Sequence, residues 1–192
     1  LTDIISKTTN EIFVPITVGG GIRSLYDVEK ALRAGADKVA INTAAIKNPI
    51  LIEEIAKRFG SSCVVLSIEA KKTNKDNWEA YYDNGREHSS LDVVEWAMEG
   101  QDRGAGEILI TSVDRDGTKK GFDVDLVENI SDKVKVPLII SGGFGNLKHI
   151  SELISKSNLE GIAIGSSLHY EDITVNDIRQ YCIEKQLPVR KF

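Results

Sequence analysis

The stretch that decides the fold is VPITVGGG at residues 14–21, which recurs as VPLIISGG at residues 136–143. A second stretch, VAINT at residues 39–43, recurs as IAIGS at residues 162–166. The two offsets are 122 and 123 residues, which is about half the length of a (β/α)₈ barrel of ~250 residues. A doubly wound sheet has no reason to place matched loops at that separation. The repeat therefore favours a barrel with pseudo-twofold symmetry.

Short apolar runs alternate with amphipathic helical segments along the chain. Six runs rich in β-branched residues predict buried parallel strands at residues 16–18, 38–41, 63–68, 107–111, 138–140 and 161–164. A closed barrel has eight strands. We therefore expect residues 1–192 to form one (β/α)-barrel domain of the α/β class that lacks the first two strands and contains strands 3 to 8. The chain starts at Leu1 rather than methionine, and we expect it to be a fragment.

Residues 71–86 interrupt the alternation of strands and helices. Alternating aromatic side chains in WEAYY at residues 78–82 precede the dipeptide Asn84-Gly85. This pattern predicts a β-hairpin inserted after the third of the six strands. The hairpin is either a decoration of the barrel or a lid that covers the substrate.

Composition excludes several classes of function. The formal net charge of −5 argues against a general affinity for nucleic acid or for an anionic membrane. The sequence has no apolar run of the ~20 residues that a membrane-spanning helix needs, and it opens without a signal peptide. Cys63 and Cys182 have no metal-ligand spacing, so we expect two buried, reduced thiols in a cytoplasmic protein.

Each copy of the repeat predicts an anion site. Glycines directly after a strand let backbone N–H groups approach an anion, and the following helix terminus adds positive potential. The polar residues that end the next strand add further donors, although a tight turn is the alternative interpretation of the glycine run. The predicted phosphate ligands are Gly20, Gly21, Asn42 and Thr43 in the first copy and Gly142, Gly143, Gly165 and Ser166 in the second. Two such sites at one barrel mouth predict a substrate with a phosphate at each end.

Two carboxylates lie where strands of the predicted barrel end. Glu69 closes the third of the six strands, in a position suited to proton transfer; the alternative is an ion pair with Lys71 or Lys38. Asp116 lies in the segment DRDGT at residues 114–118. It is either a group that faces the substrate or part of a solvated turn.

Several of these motifs resemble one enzyme family. The segments VGGGI at 18–22, INTAA at 41–45, GAGEIL at 104–109 and DRDGT at 114–118, with Gly121 and Asp123, are similar to the cyclase subunit of imidazole glycerol phosphate synthase, a (β/α)₈ barrel of histidine biosynthesis. The resemblance implies a lyase without cofactor or metal. It implies that a glutaminase partner supplies ammonia, which crosses the barrel to a bisphosphate ribonucleotide. Asp37, Lys38 and Glu107 would then lie at the ammonia entrance, and Asp116 would contact the substrate.

The chain departs from the family pattern in two respects. The general acid of the family lies on the first strand, which residues 1–192 lack. Its second catalytic carboxylate is normally an aspartate, where this chain has Glu69, and the extra methylene moves the carboxylate by about 1 Å. The prediction is a cyclase that produces imidazole glycerol phosphate and an aminoimidazole carboxamide ribonucleotide. The alternatives are a paralogous ammonia-using barrel that amidates a sugar in surface polysaccharide synthesis, or a non-catalytic phosphate-binding scaffold.

Overall fold

The computed structural model describes residues 2–156, 159–187 and 189. The strands in this part of the chain are β1 (Thr17–Gly19), β2 (Lys38–Ile41), β3 (Val64–Lys72), β4 (Trp78–Tyr82), β5 (Glu87–Asp92), β6 (Glu107–Ser112), β7 (Leu138–Ser141) and β8 (Gly161–Ala163). Six of them form a curled parallel sheet in the order β1-β2-β3-β6-β7-β8. These are the six predicted strands, and the partial (β/α)₈ barrel is confirmed.

Helices connect the parallel strands. They are α1 (Thr2–Glu11), α2 (Leu25–Arg33), α3 (Thr43–Lys47), α4 (Ile50–Phe59), α5 (Val93–Asp102), α6 (Val124–Ile130), α7 (Lys148–Ile154), α8 (Ser166–His169) and α9 (Val175–Glu184). In α2, the hydroxyl of Ser24 accepts a hydrogen bond from the Asp27 N–H, and the Asp27 carboxylate accepts one from that hydroxyl. This cap satisfies a backbone donor that the first turn of the helix would otherwise leave free.

The core lies between the sheet and its helices. Alternate residues of β2, β6 and β7 are almost fully buried, among them Val39 and Ile41 in β2 and Ile108 and Ile110 in β6. The Cys63 and Cys182 thiols are buried and unpaired, as predicted. None of the helices in the described part of the chain is both long and apolar enough to cross a membrane.

The predicted hairpin is present, but its limits at residues 71–86 were wrong. β3 continues beyond its last pair with β6 to Lys72, and β4 pairs with it antiparallel. β5 then runs to Asp92, whose carboxylate caps α5. The sequence EHSSLD of β5 is polar and has no buried residue. Because the strand packs no apolar face, its sequence lacks the alternation that reveals a strand.

The structure repeats itself where the sequence does. Gly19 of β1 lies opposite Ala40 of β2, and the equivalent Ser141 of β7 lies opposite Ala163 of β8. The connections before β2 and β8 also match. The Asp37 carboxylate accepts from the Ile16 N–H at 2.7 Å and Glu160 accepts from the Leu138 N–H at 2.9 Å. The matching register and the matching carboxylate contacts show that the two repeated segments form equivalent strand pairs.

Candidate active site

The first glycine turn borders an open cavity. Gly20 and Gly21 have φ angles of +88° and +75°, which disfavour any residue with a Cβ. A Cβ built on either residue would meet no atom of the described residues within 4 Å, so open space rather than packing surrounds this turn. The cavity has a volume of about 1100 Å³, and its walls include Gly20, Gly21, Asn42, Thr43, Glu69 and Asp83.

Asn42 and Thr43 turn the chain from β2 into α3 and contact the tip of the hairpin. The Asn42 amide donates to the carbonyl of Tyr81 at 3.2 Å. The Thr43 hydroxyl oxygen accepts from the N–H of Asp83, also at 3.2 Å. Within the described residues the Asn42 Oδ1 atom is buried and has no hydrogen-bond partner. The hairpin therefore rests on one of the two predicted phosphate sites.

Glu69 lies in the same cavity, and its carboxylate is bound by the hairpin turn. The Oε2 atom accepts a hydrogen bond from the Gly85 N–H at 2.6 Å. Burial raises the pKa of Glu69 above its ordinary value, and the charge of Asp83 acts in the same direction. The hydrogen bonds from Gly85 and Asn42 lower that pKa but do not cancel the effect of burial.

The alternative ion pairs of Glu69 were wrong. Lys38 forms its ion pair with Glu107, and the Lys71 ammonium lies 5.0 Å from the centroid of the Tyr81 ring. Glu69 is thus a half-buried carboxyl group in a cavity, with backbone and amide donors rather than one of these lysines beside it.

The second glycine turn follows the same backbone path in a different environment. Gly142 and Gly143 have φ angles of +93° and +99°, and both are buried. A Cβ on Gly143 would lie 2.1 Å from the carbonyl oxygen of Gly121, whose N–H donates to the Gly143 carbonyl at 2.8 Å. Packing against the loop after β6 therefore requires glycine here.

The strand that follows this turn completes the match. Gly165 has φ −108° and ψ −81°, close to the −126° and −82° of Asn42. The short helices α3 and α8 begin at Thr43 and Ser166, directly after these residues. The structure thus gives the two predicted phosphate sites equivalent backbones but different side chains and neighbours.

Asp116 lies away from the cavity that contains Glu69. It is exposed in the turn after β6, and its N–H donates to the Ser112 carbonyl at 2.9 Å. It does not line the cavity around Glu69. The neighbouring Asp114 accepts from the Lys72 N–H at 2.7 Å, so the charged segment at residues 114–118 partly holds β3 in place.

Asp123 has a structural role that the sequence did not reveal. This buried carboxylate accepts from the indole N–H of Trp78 at 3.0 Å and from the Ser112 hydroxyl at 3.3 Å, while it caps α6 at Leu126. It joins the base of the hairpin to the end of β6. Asp123 was visible only as part of a motif, because nothing in the sequence pairs it with Trp78.

Lys38 and Glu107 meet at the opposite end of the strands. They begin β2 and β6, and their ion pair passes across the intervening β3. Asp37 is exposed, and its carboxylate holds the start of the β1 segment. Across the described ranges, no three His, Cys, Asp or Glu side chains come together as a group that could hold a metal ion.

Comparison with known proteins decides the family. The model of the family described as "Histidine biosynthesis protein" matches residues 1–174. The chain belongs to this family. It is 60% identical over 151 residues to the imidazole glycerol phosphate synthase subunit HisF of Legionella pneumophila, covering 79% of this chain and 71% of that protein. It is 46% identical over 189 residues to the HisF subunit of Lachnoclostridium phytofermentans, covering 98% of this chain and 73% of that protein.

Family membership confirms what the motifs predicted. The chain is of the HisF type, which makes it a cyclase subunit and a lyase-type enzyme of histidine biosynthesis. The roles of the individual site residues, the substrate and the partner stay predictions.

Proposed function

We propose that this chain condenses ammonia with a bisphosphate ribonucleotide and cleaves it to imidazole glycerol phosphate and an aminoimidazole carboxamide ribonucleotide. A glutaminase subunit supplies the ammonia. One observation carries the proposal: the open glycine turn, the Thr43 hydroxyl and the Glu69 carboxyl line a single cavity. That cavity offers anion donors and a proton-transfer group on the same wall.

The phosphates bind at the two copies of the repeat. In the first copy, the N–H groups of Gly20 and Gly21 and the hydroxyl of Thr43 receive one phosphate. In the second, the backbone around Gly143, Gly165 and Ser166 receives the other. The matched backbone angles of the two copies support this assignment, because equivalent N–H groups then point to equivalent positions. The substrate spans the mouth of the barrel between them.

Glu69 moves a proton during ring closure. Its raised pKa supports this role, because a carboxyl group transfers protons best when its pKa approaches the working pH. Asp116 contacts the half of the substrate that lies near the second phosphate site. Its position after β6, at the carboxyl end of the sheet, supports a substrate contact.

Ammonia enters at the other end of the barrel. The Lys38–Glu107 ion pair lies at the amino ends of the strands, on the interior side of the sheet. Asp37 is exposed beside it and faces the docked glutaminase. The two free cysteines support a location in the cytoplasm, where thiols stay reduced.

An ammonium-dependent assay tests the proposal. A version of the protein that includes the first two strands of the barrel is incubated with the bisphosphate ribonucleotide and a high concentration of ammonium chloride, and both products are followed by chromatography. We expect turnover that Glu69→Gln abolishes and that Glu54→Gln, at an exposed position in α4, leaves unchanged. Absence of both products at saturating ammonium would contradict the proposal. Consumption of a sugar substrate instead would identify an amidating paralogue.

A further inference from the structure

The hairpin turn makes a contact that a surface decoration would not make. Residues 83–86 connect β4 and β5, and Asp83, Asn84 and Gly85 have φ angles of +52°, +59° and +70°. Three consecutive left-handed residues curl the turn back on itself. Asp, Asn and Gly adopt this conformation more readily than other residues, and hairpin turns commonly use it, so the turn presents its N–H groups in a defined direction.

Three hydrogen bonds dock this turn and the end of β4 on the carboxyl ends of β2 and β3. The Gly85 N–H donates to Glu69 at 2.6 Å and the Asp83 N–H donates to Thr43 at 3.2 Å. The Asn42 amide donates to the carbonyl of Tyr81, which lies in β4 two residues before Asp83. The contact to Glu69 is charge-assisted and is the shortest of the three.

We propose that the hairpin turn at residues 83–86 is the positioning element for the Glu69 carboxylate, held in place by Asn42 and Thr43. Asn42 and Thr43 therefore serve Glu69 as well as the phosphate. The turn fixes one carboxylate oxygen of Glu69 at the Gly85 N–H, so that the carboxylate keeps one orientation at the cavity wall. This inference rests on the proposed proton-transfer role of Glu69.

Glu69 is the right target for such an element because it has few other restraints. Its side chain carries three rotatable bonds, and besides the turn it is the Asn42 amide, not Lys38 or Lys71, that donates to its carboxylate. The other charged residues that line the cavity are Arg23, Lys47, Asp83 and Glu87. Without the turn, the carboxylate would sample several rotamers and lose the alignment that proton transfer needs.

The contact can be tested in the unmodified protein by NMR. The Gly85 amide proton and the Glu69 side-chain carbon should titrate with the same midpoint, because protonation of the carboxyl weakens the hydrogen bond. The Gly85 titration should disappear in Glu69→Gln. If the chemical shift of the Gly85 amide does not change as Glu69 ionises, the proposal is wrong. This measurement needs no destabilising substitution.

Kinetics then separate positioning from general stability. Gly85→Ala strains the turn and displaces its N–H, while a Cβ there would make only ordinary contact with Val113. Gly60→Ala is the control, because Gly60 also has a positive φ of +94° but lies at the end of α4. We expect Gly85→Ala to lower kcat about tenfold or more with KM unchanged. The limb of the kcat–pH profile that reports the ionisation of Glu69 should shift to higher pH, since the lost hydrogen bond favoured the charged form of the carboxyl group. Gly60→Ala should leave kcat and the pH profile unchanged.

The outcomes distinguish this inference from the proposed function. If Glu69→Gln abolishes turnover while a folded Gly85→Ala protein keeps its kcat and pH profile, the positioning role is wrong and the function stands. If the Gly85 amide titrates with Glu69 but the nucleotide is not turned over, the contact stands and the proposed function is wrong.

Discussion

The strand pairs β1–β2 and β7–β8 share their register, a carboxylate that accepts from the backbone at the start of the first strand, and similar φ angles in the glycine turn. They use glycine for different reasons. At Gly20 and Gly21 the surroundings are open, and glycine serves the backbone conformation alone. At Gly142 and Gly143 the neighbouring loop fills the space, and glycine serves packing. The comparison teaches that a sequence repeat preserves the path of the backbone while the reason for each residue changes with its neighbours.

The largest effect is expected from Gly143→Ala. The new Cβ would lie 2.1 Å from the Gly121 carbonyl oxygen at a φ of +99°. Overpacking and a left-handed backbone together cost about 4 kcal/mol of unfolding free energy. Urea denaturation measures the loss. A stability equal to that of Gly21→Ala would show that the two turns do not differ in packing.

A slightly smaller loss is expected from Asp123→Ala, which removes the anchor of the loop beside the second turn. The substitution leaves the buried indole N–H of Trp78 and the Ser112 hydroxyl without their acceptor. Unsatisfied buried donors cost about 3 kcal/mol in total, again measured with urea. Asp125→Ala is the matched control, because Asp125 is more exposed and, among the residues that the structure describes, pairs only with Lys72. Equal losses in the two variants would contradict a structural role for Asp123.

Gly21→Ala should change binding more than stability. No atom lies near the new Cβ, so the cost in unfolding free energy is the backbone strain alone, about 1 kcal/mol. Displacement of the N–H groups should weaken the binding of inorganic phosphate about tenfold. Calorimetry with inorganic phosphate measures the change. If Gly21→Ala binds inorganic phosphate with unaltered affinity, the first glycine turn is not part of the phosphate site.

Much of this comparison could be predicted from the sequence. The six strands, both glycine turns and the repeat were visible because buried strands and left-handed glycines leave strong local patterns. The hairpin turn was visible at Asn84 and Gly85, but its docking on Glu69 was not. That contact joins residues far apart along the chain, and no local pattern encodes which side chain a turn will meet.

The same limit explains the misjudged details. β5 was not recognised because an exposed strand needs no apolar alternation. The packing of Gly143 against Gly121 was not visible, because a glycine after a strand fits close packing and an anion site equally well; its phosphate role stays a prediction. The interpretation of Glu69 as an ion-pair residue failed because Lys38 has a closer partner across the sheet.

The smallest effect is the pH dependence of stability that Glu69 contributes. Its pKa in the folded protein is raised above the ordinary value of 4.5. The folded state therefore binds the proton more tightly than the unfolded state. The associated stability is present below pH 4.5 and is lost as the pH rises through the folded pKa. Urea denaturation at several pH values should show this loss in the native protein. If the Glu69→Gln variant does not show this loss of stability, the effect belongs to Glu69. If the unfolding free energies of the two proteins depend on pH in the same way, the assignment is wrong.

The central claim is that the two copies of the repeat are two phosphate sites at one barrel mouth. Titration with inorganic phosphate, followed by backbone amide NMR, tests it most directly. We expect saturable shifts at two groups of amides: Gly20, Gly21 and Thr43 in the first copy, and Gly143, Gly165 and Ser166 in the second. A protein in which neither group responds, or in which phosphate shifts only amides outside the two copies, would contradict it.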